Sequence, residues 1–175
     1  SYSQFLINAL KIFDLKDLTL CGHSMGGLIA LDMILSHQFA AKEVILVNSI
    51  YPTRVADALL AKANAGNGDA ANFIIKYGLY RRLLGMRNAF SEADDLVMLD
   101  DLHACNNYEL DLNDLKNLEI PISIILGSKD RLVDLKAVEH FTDIVPSHTY
   151  TMDEVGHFTF FEDPVELSRI ISKIV

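Results

Sequence analysis

Short apolar runs alternate along this chain with longer stretches in which apolar residues recur every three or four positions. The run at 18–21 ends in Gly22; KEVILVNS (42–49), PISIILG (121–127) and HTYTMD (148–153) follow it as further strands. The short apolar run at 18–21 is the pattern of a parallel strand buried on both faces. Helical periodicity fills the intervals at 26–36, 134–143 and 163–175, the last with Pro164 in its first turn. Strand and helix in alternation predict an α/β fold around a parallel sheet. Before the first strand, SYSQFLINALKIFD reads as an amphipathic helix with Phe5, Leu6, Ala9, Leu10, Ile12 and Phe13 as its apolar stripe and Ser1 or Ser3 as cap.

The rhythm changes between the second and third strands. Residues 51–118 hold only helical patterns, around 55–63, 70–84 and 93–105, broken by Gly66-Asn67-Gly68 and by Gly85. That is too long for a bare crossover. It predicts a core of 1–50 and 119–175 with a helical cap inserted at 51–118.

Composition narrows the function. The chain has 175 residues, enough for one domain with a sizeable core, and a net charge of −9. An acidic balance argues against nucleic-acid binding, which needs a basic face. No apolar run reaches the length of a membrane span and none opens the chain as a secretory signal would. Two cysteines, Cys21 and Cys105, make neither a disulfide framework nor a metal site and fit a reducing cytoplasm. No cofactor and no metal is implied. Within the insertion, Lys76, Arg81, Arg82 and Arg87 cluster in one helix, while acidic residues from Glu92 to Asp114 crowd the next stretch. Solvated helix faces account for both; a sharper reading has the basic helix meet an anionic substrate or acidic carrier.

The stretch LTLCGHSMGGLIALD (18–32) carries the chemistry. A bare Gly-x-Ser-x-Gly arises by chance about once in 3,000 positions. Here a strand precedes Ser24 and a helix follows it, the context that lifts a serine Oγ out of the carboxyl edge of a sheet. Gly22 and Gly26 leave room where the backbone crowds that turn. The helix start offers the Met25 N–H and a favourable dipole to a developing oxyanion. A serine also needs a base, and the base an orienting acid. LGSKDRLVD places Asp130 after the third strand, and DEVGHFTFFEDP places His157 after the fourth, on the same sheet edge as Ser24. Glycosidase chemistry would ignore this order, and a phosphate loop lacks its lysine.

Gly22-His23-Ser24-Met25-Gly26-Gly27, Gly127 to Asp130, and Gly156-His157 leading to Glu162-Asp163-Pro164 together resemble the α/β-hydrolase family, in particular its Ser-dependent esterase-like members with a helical cap. The resemblance implies Ser24 as nucleophile, His157 as general base and acid, Asp130 as the group orienting the imidazole, and Met25 as one oxyanion-hole donor. Asp134, one helical turn beyond, is the alternative acid. The other position some relatives use reads Asn48-Ser49, without a carboxylate. His23 is implied to point away from the reaction as a packing residue, and His37, His103, His140 and His148 are expected at the surface.

The implied activity is hydrolysis of a small-molecule ester or thioester through an acyl-enzyme. Amide or C–C cleavage or acyl transfer by the same triad, and a non-catalytic interaction module, are the alternatives. Phe73, Ile74, Leu79, Leu83 and Phe90 are candidates for an acyl pocket or for cap core. The family has eight strands with the elbow after the fifth, whereas four are visible here. The expectation is therefore a C-terminal portion of the fold, with the loop for the second oxyanion donor absent before Gly22. Its inner sheet edge would need the N-terminal segment of the same fold, or a second copy, to cover it.

Overall fold

The computed structural model describes residues 1–15, 17–81 and 95–175. Its centre is a four-stranded sheet of β1 (Leu18–His23), β2 (Ala41–Val47), β3 (Ile122–Gly127) and β4 (Ser147–Met152), in that spatial order. Every neighbouring pair is parallel, with Cys21 beside Ile45, Leu46 beside Ile124, and Ile125 beside Tyr150. Parallel pairing puts all four strand ends, at His23, Val47, Gly127 and Met152, on one edge.

The unbroken apolar runs are explained by helices on both faces. Val44, Leu46, Ile122, Ile124 and Leu126 face one way, into a core with Leu31 and Ile34 of α2 (Met25–Leu35) and Phe141 of α7 (Leu135–Ile144). Ile45, Val47, Ile125 and Met152 face the other, against Leu167 and Ile170 of α9 (Pro164–Ile174). Each fully buried Leu, Ile or Phe contributes about 1.5–3 kcal/mol of transfer free energy. Asp163 caps α9, accepting from the Glu166 N–H, with Pro164 at the first position. A short helix α8 (Thr159–Glu162), without an apolar period of its own, precedes it.

Between β2 and β3 lie α3 (Asp57–Ala65), α4 (Asp69–Gly78), α5 (Asp95–Asn106) and α6 (Leu112–Asn117). Leu59 and Ala63 of α3, Ala70, Phe73 and Ile74 of α4, and Leu99 and Leu102 of α5 share a separate apolar cluster. Helix α4 ends at Gly78, so Arg81 stands beyond it rather than on a common helix with Lys76. Arg82, Leu83, Gly85, Arg87, Phe90, Glu92 and Asp94 lie outside the described residues.

The first helix departs from its reading. In α1 (Tyr2–Ile12) the buried residues are Ser3 and Ile7, whereas Phe5, Ile12 and the adjoining Phe13 are 71%, 81% and 70% exposed. Ser3 donates to the Asp32 carboxylate of α2 on the same side of the helix as the buried Ile7. Among the described residues nothing covers the opposite, apolar side, and β1 is the edge of the sheet.

Candidate active site

Ser24 occupies the single residue between β1 and α2, with φ 52° and ψ −123°. A non-glycine side chain in this positive-φ, glycine-favouring conformation costs about 1–3 kcal/mol and is held only by its surroundings. Here the Ser24 N–H donates to the Val47 carbonyl and its own carbonyl accepts from Gly27 N–H, both at 3.0 Å. The turn closes because two glycines allow close approach, Gly22 to backbone and Gly27 to a side chain. A Cβ on Gly22 would collide with the Gly26 carbonyl, and one on Gly27 with the Ser49 side chain. Gly26 was the expected second relief point. A Cβ there meets nothing within 4 Å, so Gly27 takes that role, since it is the residue facing β2. Met25 opens α2, and a first-turn N–H has no acceptor within its own helix.

Asp130 follows β3 and His157 follows β4. His157 Nδ1 donates to Asp130 Oδ2 at 2.8 Å, with both side chains nearly fully buried. Asp130 Oδ1 accepts from the N–H groups of Leu132 (2.8 Å) and Val133 (3.2 Å), and Oδ2 accepts from the Asn48 amide at 2.8 Å. Burial pushes this carboxyl upward, but the hydrogen bond and charge of His157, the Leu132 N–H and the Asn48 amide outweigh it and hold it below the ordinary value. Asp134 instead caps α7, accepting from Lys136 N–H at 2.9 Å. Asn48, where a carboxylate was noted as absent, thus supports the acid of the neighbouring strand.

The two peptides carrying His157 are tied at every polar group. Gly156 N–H donates to Glu162 Oε1 (3.0 Å) and its carbonyl accepts from Asn48 Nδ2 (3.3 Å). His157 N–H donates to the Gly78 carbonyl (2.6 Å), and its own carbonyl accepts from His23 Nε2 (2.8 Å). This corrects the reading of His23 as a residue turned away. Its ring lies 4.8 Å from that of His157 and 4.8 Å, edge-on, from Phe160, and it forms part of the pocket wall. Burial and the neighbouring His157 lower its pKa to about 4, against the opposing pull of its hydrogen bond and of Asp130. His23 is therefore neutral at pH 7, with the proton on Nε2. The roles of His23, Asn48 and Glu162 were not foreseen; the only hint was that each lies within two residues of a strand end or inside the GHFTFFEDP run.

Ser24, Met25 and His157 open onto one pocket of about 760 Å³. Its walls are mostly apolar, with Leu28, Ile50 and Leu132 from the core side and Phe73, Ile74 and Tyr77 from α4. Arg54, Asp57, Arg131 and Asp134 supply balanced charge at its exposed margins. Leu79 is not among the lining residues. Among the described residues, no hydrogen bond joins Ser24 Oγ to the imidazole, and no group of three or more His, Cys, Asp or Glu side chains could hold a metal. His37, His103, His140 and His148 are exposed.

A strained serine at a strand-to-helix turn, facing a buried His–Asp pair across an apolar pocket, is the arrangement of a hydrolase built on a parallel sheet. The chain belongs to the alpha/beta hydrolase family, whose profile matches residues 2–170. Solved structures share the fold. An esterase from Exiguobacterium antarcticum is 18% identical with a TM-score of 0.87, covering 98% of this chain and 71% of its own. A thermophilic esterase is 23% identical, also at 0.87, covering 99% and 71%. The 2-hydroxy-6-oxo-6-phenylhexa-2,4-dienoate hydrolase of Rhodococcus sp. strain RHA1 is 16% identical at 0.75, covering 94% and 66%. No curated protein matches the chain in sequence. Among the described residues, no helix is long and apolar enough to cross a membrane.

Proposed function

We propose that the protein is a serine hydrolase that cleaves a carboxylic ester or thioester through an acyl-enzyme. The observation that carries this reading is the 2.8 Å His157–Asp130 bond opening into the same pocket as Ser24. With Nδ1–H committed to Asp130, His157 keeps its Nε2 lone pair for the hydroxyl proton. Ser24 Oγ bonds to the substrate carbonyl carbon as that proton passes to Nε2, and the carbonyl oxygen takes the negative charge. Met25 N–H, at the positive end of α2, is the donor offered to that oxygen. The imidazolium then gives its proton to the departing alcohol or thiol as the carbon–leaving-group bond breaks. Water, deprotonated by the same nitrogen, releases the acid and restores Ser24. Hydrogen bonds of this kind are often long in the free enzyme and tighten around substrate.

Two further expectations belong to this reading. The exposed side of α1 and the free edge of β1 support cover by an N-terminal segment of the same fold or by a second copy. The free thiols of Cys21 and Cys105 support a reducing, cytoplasmic setting.

The test is a panel of short aryl esters and thioesters assayed with the wild type and Ser24→Ala. Loss of at least about 10³-fold in kcat/KM, with fluorophosphonate labelling only of the wild type, is the expected result. Hydrolysis that survives Ser24→Ala would refute the nucleophile, and a wild type that neither labels nor hydrolyses would favour an interaction module.

A further inference from the structure

Glu162 is buried, 6% exposed, and takes no part in the chemistry above. Its carboxylate faces three backbone donors from two distant segments. Oε1 accepts from Gly156 N–H at 3.0 Å, and Oε2 accepts from Tyr80 N–H at 3.0 Å and Arg81 N–H at 2.7 Å. The Arg81 guanidinium returns to the Glu162 carbonyl at 3.2 Å. Alongside, His157 N–H meets the Gly78 carbonyl. The two segments touch backbone to backbone: a Cβ on Gly156 would collide with Gly78 O, and one on Gly78 would sit 2.6 Å from the Phe158 ring.

We propose that Glu162 is a positioning residue that locks the His157 loop to the segment leaving α4, so that the wall of the pocket and the placement of the base are set together. The proposal rests on the reading of His157 as general base. Only a carboxylate suits the site, because every partner of its two oxygens is an N–H donor. A glutamine would present its own N–H₂ to donors on one side or the other. Of the four ties on the Gly156–His157 peptides, this one alone also grips the exit of α4 through the same side chain. Tyr80 and Arg81 stand 82 and 81 residues from Glu162 along the chain, so the clasp is a tertiary device that ties the His157 loop to a distant segment.

The experiment compares wild type, Glu162→Gln and Ser24→Ala in the full-length protein. It reads kcat and KM on a short aryl ester and the low-field proton resonance of the His157 Nδ1–H···Asp130 bond. For Glu162→Gln, kcat per fluorophosphonate-titrated site falls about 10- to 100-fold with KM changed less than about threefold, as a misplaced catalytic group produces, and the resonance shifts or broadens. Unchanged kcat per titrated site together with an unchanged resonance would overturn the proposal, whatever happens to the yield of folded protein. Should Glu162→Gln not fold, Arg81→Pro is set against Arg81→Ala; both lose the guanidinium and only the first loses the N–H. A lower kcat in Arg81→Pro supports the clasp, and equal values overturn it. A Ser24→Ala variant that keeps its activity refutes the proposed function itself, a result independent of either comparison.

Discussion

At the scale of single residues, the burden on Asp130 is larger than orienting one imidazole. Its two oxygens accept four hydrogen bonds, from His157, Asn48, Leu132 and Val133, and this shell keeps the carboxylate charged despite burial. Replacing it with Asn preserves the shape but offers an amide N–H₂ where Nδ1–H donates, favouring the other tautomer of His157. Asp130→Asn is expected to lower kcat by roughly 10³- to 10⁴-fold and to destabilise the fold by about 1–3 kcal/mol, since its N–H₂ meets a buried N–H donor whichever way the amide turns. Steady-state kinetics alongside a thermal melt checks both halves of that statement. Asp134→Asn, which keeps the cap on α7 and lies at the exposed margin of the pocket away from the His157–Asp130 bond, should leave kcat within about twofold, the usual range for a surface change of this kind.

At the scale of elements, the elbow depends on how closely α2 lies against the strands. Gly27 meets Ser49 after β2, and Gly22 meets the first turn of α2, while Gly26 faces open space. Gly27→Ala is therefore expected to destabilise by about 1–3 kcal/mol through overpacking, and Gly26→Ala to be neutral or stabilising by up to about 1 kcal/mol as a helix substitution. Urea denaturation of the two variants separates them.

The difference was invisible in the string GHSMGG, where spacing marks both glycines alike and only the direction of each Cα–H distinguishes them. The same limit explains α1. Its run of large apolar residues was legible as a stripe, but the side that packs on α2 holds Ser3, bonded to Asp32, and Ile7, a pairing that hydrophobic periodicity does not encode. The two central strands β2 and β3 were legible because both faces of the sheet are covered there, so their runs are apolar, whereas β4, SHTYTM, is largely exposed at the sheet's edge. Asp130 and His157 were legible because strand order alone brings both to the Ser24 edge. His23, Asn48 and Glu162 were not, since what each side chain meets across the fold is not encoded in spacing or periodicity.

At the scale of the whole molecule, pH acts first through His23. An unfolded histidine titrates near 6.5, and His23 in the folded protein titrates at about 4. Between those values the unfolded chain binds a proton that the native state does not, so stability falls as pH drops, by up to about 1.4 kcal/mol per pH unit. Below about pH 4 this loss levels off. Asp130, held below its ordinary value, stabilises the fold above the unfolded carboxyl pKa, and that contribution disappears only as pH falls through its folded value. Urea midpoints at pH 7, 5.5 and 4.5 should decline for the wild type and decline less steeply for His23→Gln. Parallel curves for the two proteins would contradict the assignment.

The helices α3, α4 and α5 keep an apolar cluster of their own, apart from the two clusters that hold the sheet. Phe73, Ile74 and Leu102 belong to that cluster and also face the pocket. Mutations there can reshape the pocket wall while the sheet, its strand-end loops and the elbow stay as they are. Such a division lets the shape of the pocket change with one small cluster, while most of the buried apolar surface that stabilises the fold is held elsewhere.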